Sequence, residues 1–169
     1  MKDSIETERK YIIRMPNISD MLCMPAYSVS SITQTYLNSP EGITNRVRKR
    51  TYKDKTVFTQ TKKVRIDKIS AYEDELEITE NEYDLLLLDI KRGTVPVIKE
   101  RHVFEYCNQL FEIDIYPQWT KTAIMETELD DREKEVEMPP FIHIVREVSG
   151  IKEYSNAAMS VRFPQEDKI

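Results

Sequence analysis

The chain has 169 residues, a formal net charge of −5, 33% charged residues, 40% hydrophobic residues and 3 glycines. That length favours one domain with a core of its own, the hydrophobic share excludes a disordered chain, and the scarcity of glycine excludes collagen and Gly-rich linkers. Net acidity argues against a surface that binds a nucleic-acid polymer, and no apolar run approaches the roughly 20 residues that cross a bilayer, so no membrane partner is expected.

The opening Met1-Lys2-Asp3-Ser4 runs straight into a charged strand, leaving no room for a signal peptide and pointing to a cytoplasmic protein. Cys23 and Cys107 lie far apart without ligand-like spacing and read as reduced, packed thiols. In the first strand, residues 5–15, period-two reading puts Glu6, Glu8 and Lys10 on one face and Ile5, Thr7, Arg9, Tyr11 and Ile13 on the other. An ordinary half-buried strand turns such charges to water. Here, however, charges at i and i+2 recur along the chain.

Pro16 ends the first strand. Ile18 to Met24 fits a short helical turn capped by Asn17 or Ser19, and Val29 to Tyr36 is a β-branched strand. After an Asn38–Gly42 turn, Ile43 to Tyr52 carries Arg46, Arg48 and Arg50 in phase, and Thr56 to Ile66 returns as a hairpin with Phe58, Gln60 and Lys62 on one face. Residues 71–79 form a strand with Glu73, Glu75 and Glu77 in phase. Thr79 and Glu82 then make a capping box for a helix over Glu80–Lys91 with a Leu85–Leu88 core and Gly93 as its stop. Val95 to Phe104 carries Lys99 and Arg101 in phase, with His102 on the other face. A turn at Cys107-Asn108-Gln109 leads to Leu110–Tyr116, with Glu112 and Asp114 in phase, and Ala123–Leu129 carries Glu126 and Glu128. Asp130–Glu137 reads as solvated, the stretch from Pro140 through Val148 as an amphipathic helix containing His143, residues 154–159 as a last short helix, and 161–169 as a loose tail.

About eight strands of this kind close most economically into a barrel, because closure removes exposed edges. An eight-stranded barrel has room inside for side chains or one small ligand. The apolar faces, covered from outside by the helices near 80–91 and 140–149, leave the charges pointing into the lumen. Buried charges persist only when paired or when they coordinate something. Arginine forks and lysines suit a polyanion, and carboxylates suit a hard divalent ion such as Mg²⁺ or Mn²⁺, so both together fit a metal and a polyphosphate.

The ordered series Glu6-x-Glu8-x-Lys10, Arg46-x-Arg48-x-Arg50, Lys62, Glu75-x-Glu77, Lys99-x-Arg101, Glu112-x-Asp114, Glu126-x-Glu128 and Lys152 before Tyr154-Ser155-Asn156 resembles the CYTH superfamily, the triphosphate tunnel metalloenzymes, and is most similar to its small bacterial members. The resemblance covers about residues 5–159 and implies one mainly β domain, a closed eight-stranded antiparallel β-barrel with a charged lumen and a few outer helices. It implies Glu6, Glu8, Glu126 and Glu128 as metal ligands and Lys10, Arg46, Arg48, Arg50, Lys62, Lys99, Arg101 and Lys152 as triphosphate binders. Glu75, Glu77, Glu112 and Asp114 would position cations or a second metal. Which of Lys62 and Lys63 points inward turns on phase: alignment with Phe58 and Gln60 selects Lys62, and a bulge would reverse it.

The expected chemistry is metal-dependent hydrolysis of inorganic tripolyphosphate or a nucleoside or thiamine triphosphate, with Glu8 and Glu128 as candidate general bases and Lys10 among the catalytic groups. An adenylate cyclase on the same scaffold is the alternative, although no adenine-reading element stands out. A non-catalytic polyphosphate- or nucleotide-binding module is a third reading, against which both glutamate pairs argue. A lipocalin-like carrier would need an apolar lumen. The expected partner is a small triphosphate and the expected state a monomer or homodimer.

Overall fold

The structure, a computed structural model, describes residues 2–131, 133 and 135–167. Arg132 and Lys134 of the expected solvated stretch, and Lys168 and Ile169 of the tail, lie outside the described residues. Among the described residues nine strands occur: β1 (Lys2–Arg14), β2 (Ser28–Leu37), β3 (Ile43–Tyr52), β4 (Lys55–Arg65), β5 (Ser70–Ile78), β6 (Val97–Tyr106), β7 (Gln109–Ile115), β8 (Thr122–Glu128) and β9 (Ile144–Glu147). Three short helices accompany them: α1 (Ile18–Leu22), α2 (Glu80–Leu86) and α3 (Asn156–Met159).

The strands run in the order β5-β4-β3-β2-β6-β7-β8-β1, and β1 pairs back onto β5 to close an eight-stranded antiparallel barrel. β1 closes it by changing partners. Lys2–Thr7 pairs with β5, and Glu8–Arg14 pairs on the other side with β8. Past β5, the freed edge of β1 at Tyr11–Ile13 is taken up by β9, which satisfies backbone groups that would otherwise stand unpaired. The β6–β7 turn uses Cys107 and Asn108 at φ +49° and +56°, the positive pair that a two-residue hairpin turn requires.

The faces divide as the alternation demands. Outside, Tyr11, Ile13, Phe104, Phe111, Ile113 and Met125 form a core with Met21 of α1 and Ile142. Phe104 and Phe111 stack at 5.7 Å, and fully burying side chains of this size is worth about 1.5–3 kcal/mol each. A second outer core joins Leu37, Val47 and Phe58 to Tyr83 of α2. Inside, one end of the barrel is partly filled by Ile12, Tyr36, Val97, Tyr116 and Ile124, capped by Trp119, Val148, Tyr154 and Met159. Among the described residues no helix is long and apolar enough to cross a membrane.

Several expectations are corrected. The stretch after Pro140 is the strand β9, not an amphipathic helix, because the β-branched Ile144 and Val145 meet the open edge of β1; the outer wall there is covered by the irregular segment holding Val136, Met138, Phe141 and Ile142. The Thr79–Glu82 capping box is present. The α-helix it starts ends at Leu86 rather than Lys91, and of the leucine run only Leu86 and Leu87 pack beside Tyr83 against the core, while Leu85 and Leu88 are 67% and 84% exposed. Both cysteines are free and exposed rather than packed. The tail is tied down as far as Asp167. Pro164 accepts from Trp119 Nε1 at 3.1 Å, Glu166 accepts from the Thr120 and Thr122 N–H groups at 2.8 Å each, and Asp167 pairs with Arg146 at 2.8 Å.

Candidate active site in the barrel lumen

The lumen is a cavity of about 880 Å³. β1 contributes Glu6, Glu8 and Lys10; β3 contributes Arg46, Arg48 and Arg50; β4 contributes Thr59, Lys63 and Arg65; β5 contributes Glu73, Glu75 and Glu77. From β6, β7 and β8 come Arg101, Glu112, Glu126 and Glu128, and Lys152 follows β9. Register sets the closest encounters: Glu8 stands opposite Glu128, Lys10 opposite Glu126, and Glu126 opposite Glu112.

One wall is charge-paired. Arg101 grips Asp114 with two bonds of 2.7 Å, reaches Glu126 at 2.9 Å and also pairs with Glu112. Lys99 pairs with the same Asp114, and Lys10 Nζ lies 2.6 Å from Glu126. Burial alone would raise both acids. For Asp114 the charges of Arg101 and Lys99 outweigh it, and for Glu126 those of Lys10 and Arg101, so both carboxyls are held below their ordinary values. Burial also opposes charge on Lys10, but Glu126 and Glu8 hold it above the ordinary lysine value. Lys99 is pushed down to about 8 by burial and then by Arg101, with Asp114 opposing.

The remaining charged groups of the lumen behave differently. Glu6 is pushed up to about 7 by burial, then by Glu73 and Glu128, with Lys63 opposing. Glu128 is also raised, by burial and by Glu112 and Glu8. Glu73 stays low because Arg46, at 3.4 Å, and Lys63 outweigh its burial, so the proton of this pair rests on Glu6. Arg48 is lowered to about 10 by burial and by Arg46 and Arg101; its guanidinium bonds Gln34 at 3.2 Å and lies 3.9 Å from Glu75. Among the described residues, the buried Nε of Arg46 and Oγ1 of Thr59 have no hydrogen-bond partner. The cavity therefore holds polar groups that the protein does not satisfy.

The structure brings together Glu6, Glu8, Lys10, Arg46, Arg48, Arg50, Arg101, Glu126, Glu128 and Lys152 around one cavity. Lys99 and Asp114 meet beneath its lining, each with no exposed side-chain surface; Asp114, expected near a cation, is already engaged by Arg101 and Lys99. Lys62 is on the opposite face. It is exposed outside the barrel, and the inward lysine is Lys63. No bulge is needed, because Phe58 sets the outward phase by packing on Tyr83 of α2 at 4.9 Å, and Lys62 shares that phase. Glu73, in phase with Glu75 and Glu77 but not among the expected lumen acids, also lines the cavity and is 5% exposed. His102 is buried outside the lumen between Tyr27 and Glu100, at 2.9 and 2.8 Å, and His143 precedes β9.

Among the described residues no three acidic, histidine or cysteine side chains are gathered tightly enough to enclose a cation. The donor chemistry nevertheless fits a hard divalent ion. Glu128 is a carboxyl raised by burial and by neighbouring acids, Glu8 faces it across the β1–β8 ladder, and Mg²⁺ commonly takes only one or two carboxylates and fills its shell with water and phosphate oxygens.

A closed eight-stranded antiparallel barrel with charges inside and apolar faces outside is the tunnel architecture that the CYTH resemblance implies. Solved structures share it. The inorganic triphosphatase NE1496 aligns with a TM-score of 0.60 at 23% identity, covering 95% of this chain and 97% of that one. The PH1012 protein of Pyrococcus horikoshii OT3 aligns at 0.56 and 24% identity, covering 76% and 81%. HpAC1 from Hippeastrum, described as a candidate adenylyl cyclase with a dominant triphosphatase activity, aligns at 0.50 and 15% identity, covering 75% and 81%. No family profile matches the chain, and no curated protein matches it by sequence.

Proposed function

We propose that the protein is a metal-dependent triphosphatase that binds a triphosphate inside the barrel and hydrolyses its terminal phosphate. The observation that carries this is the facing of Arg46, Arg48, Arg50, Lys63 and Arg101 toward Glu6, Glu8 and Glu128 across one cavity. The arginines and lysines hold and orient the phosphate chain by charge-assisted bonds. Lys10, kept charged by Glu126, adds fixed positive charge where negative charge develops on phosphate oxygens. Glu8 and Glu128 would hold a divalent cation, Mg²⁺ or Mn²⁺, which would supply Lewis-acid stabilisation. Glu128, whose carboxyl is raised, takes the proton of the attacking water at a carboxylate oxygen. The lining favours an inorganic triphosphate over a nucleotide, because its one aromatic among the described residues, Tyr36, is 4% exposed and bonded by Gln34 at 2.6 Å. That leaves no ring on which adenine would stack, which speaks against the cyclase reading.

The test is phosphate release from tripolyphosphate, ATP and thiamine triphosphate with Mg²⁺, Mn²⁺ or chelator, for wild type beside Glu8→Gln. Turnover that needs the metal and disappears in Glu8→Gln is expected. Absence of turnover on every triphosphate, with binding intact, overturns the hydrolase in favour of a binding module, and cyclic AMP from ATP overturns it in favour of the cyclase.

A further inference from the structure

Part of the barrel's outer wall is left uncovered. α1 and the segment around Ile142 lie over Phe104, Phe111, Ile113 and Met125, and α2 lies over Val47 and Phe58. Between these two covers, on the first half of β1, on β5 and on the second half of β4, apolar side chains face outward in the open. Ile5, Ile66 and Leu76 are 66%, 53% and 50% exposed, and Val64 and Tyr72 are 41% and 38% exposed. Register lines them up. Ile5 stands opposite Tyr72, Tyr72 opposite Val64, and Val64 opposite Ile43, a single row across four adjacent strands. Their chain neighbours Glu6, Glu73, Lys63 and Thr44 line the lumen, so the four members of the row share the outer face.

One cation and one acid stand beside this row. Lys62, the lysine turned away from the lumen, lies opposite Asp74, each two residues along its strand from Val64 or Tyr72. Lys62 is exposed and has no ion pair among the described residues. Asp74 is half-buried, and its Oδ1 has no hydrogen-bond partner among the described residues. The patch runs about 14 Å across the four strands and about 20 Å along the chain from Gln60 to Ile66. That is roughly 300 Å² in projection, a size at which exposed apolar surface marks an interaction site.

The two halves of the patch complement each other. When a second copy is turned about an axis that runs along the strands between β4 and β5, β4 of one protomer falls on β5 of its partner, and β3 falls on β1. Val64 then meets the partner's Tyr72, Ile43 meets the partner's Ile5, and Lys62 meets the partner's Asp74, each contact made twice. An axis across the strands would instead set Lys62 on Lys62 or bury it under an apolar side chain.

We propose that this face joins two copies of the chain in a two-fold homodimer, with the Lys62–Asp74 pairs fixing its register. Burial of the apolar row supplies the attraction, and the paired charges exclude slipped arrangements. The patch is small beside a permanent dimer interface, so the dimer is reversible, with a Kd on the order of micromolar. The same axis sets the two plugged barrel ends side by side and leaves both open ends pointing the same way.

The experiment is sedimentation velocity of the full chain from about 1 to about 100 µM, for wild type, Val64→Asp, Lys62→Asp and Asp74→Lys, and for the last two mixed in equal amounts. Wild type is expected to pass from the mass of one chain to twice that mass. Val64→Asp stays monomeric throughout. Each charge reversal alone raises the dimer Kd about tenfold or more, because both pairs become like-charged. The mixture returns to within about threefold of the wild-type Kd, because a heterodimer of the two variants restores both pairs, one of them with its signs exchanged. Lys62→Asp, a change at an exposed side chain, and Val64→Asp carry the test if Asp74→Lys proves unfolded in a urea titration. A wild type that stays monomeric to about 100 µM, leaving the face to some other partner, overturns the inference. A dimer indifferent to Val64→Asp and Lys62→Asp, joined by another surface, overturns it as well.

Discussion

Two sets of carboxyls in the lumen use the same residue type to opposite ends. On the β6–β7–β8 wall, Asp114 and Glu126 are held low because each carboxylate touches cations that are themselves buried. Glu6 on β1 and Glu128 at the end of β8, two residues beyond Glu126, are instead raised because burial and neighbouring acids dominate. A carboxylate that has its cation is part of the scaffold. One that lacks it is poised for a cation or a proton from outside. The lumen thus holds a self-neutralised cluster that fixes geometry and unneutralised carboxyls that meet the ligand.

That contrast can be broken most forcefully at its hub. Arg101→Met leaves Asp114, Glu112 and Glu126 without their shared partner; stability is expected to fall by about 3–5 kcal/mol, read as a lower urea midpoint at unchanged slope. A loss below about 1 kcal/mol would show that the wall is not self-neutralised. In the unneutralised set, Glu128→Gln is expected to cut turnover by about 100-fold or more with a midpoint equal to or above wild type, since it removes repulsion from Glu112 and Glu8. A destabilised variant would place Glu128 with the scaffold.

The pH dependence sharpens the same contrast. Glu6 is raised from 4.5 to about 7, so the folded state holds a proton that the unfolded chain has released. Its contribution to stability is complete below about 4.5 and is lost as pH rises to about 7. Asp114 and Glu126 act in reverse: their stabilisation is present above the ordinary carboxylate range and is lost as pH falls through it. Unfolding followed from pH 4 to 8 should show the decline between 4.5 and 7 vanish in Glu6→Gln; an unchanged slope there would refute the assignment. The smallest expected difference separates adjacent lysines. Lys63→Ala raises the KM for tripolyphosphate about tenfold, whereas Lys62→Ala changes it less than twofold; equal effects would put both in the lumen.

The barrel and most of its lining were legible because period-two alternation is written residue by residue, and Arg46-x-Arg48-x-Arg50 cannot lose phase within one strand. What alternation does not state is which face is inside. In β4 the apolar Phe58 faces out under α2, so a phase anchored on it chose Lys62 over Lys63. Glu73 went unselected because its value comes from Arg46, on a strand it does not pair with. β9 read as a helix because its four residues are too short to display a period, and its pairing is dictated by an edge left open at the other end of the chain. The tail looked polar and loose, yet its carboxylates are the anchors.

The change of partners along β1 also has a consequence for how the chain folds. β2 through β5 form a meander of successive hairpins that can assemble from neighbouring residues alone. β1 comes first in the chain, yet its other ladder is to β8, near the opposite end. The N-terminal strand must therefore wait for most of the polypeptide before its second edge is covered, and closure of the barrel is the slow, long-range step. During synthesis, the residues of β1 that complete the charged lumen emerge before the other strands of the barrel and are among the last to find their places.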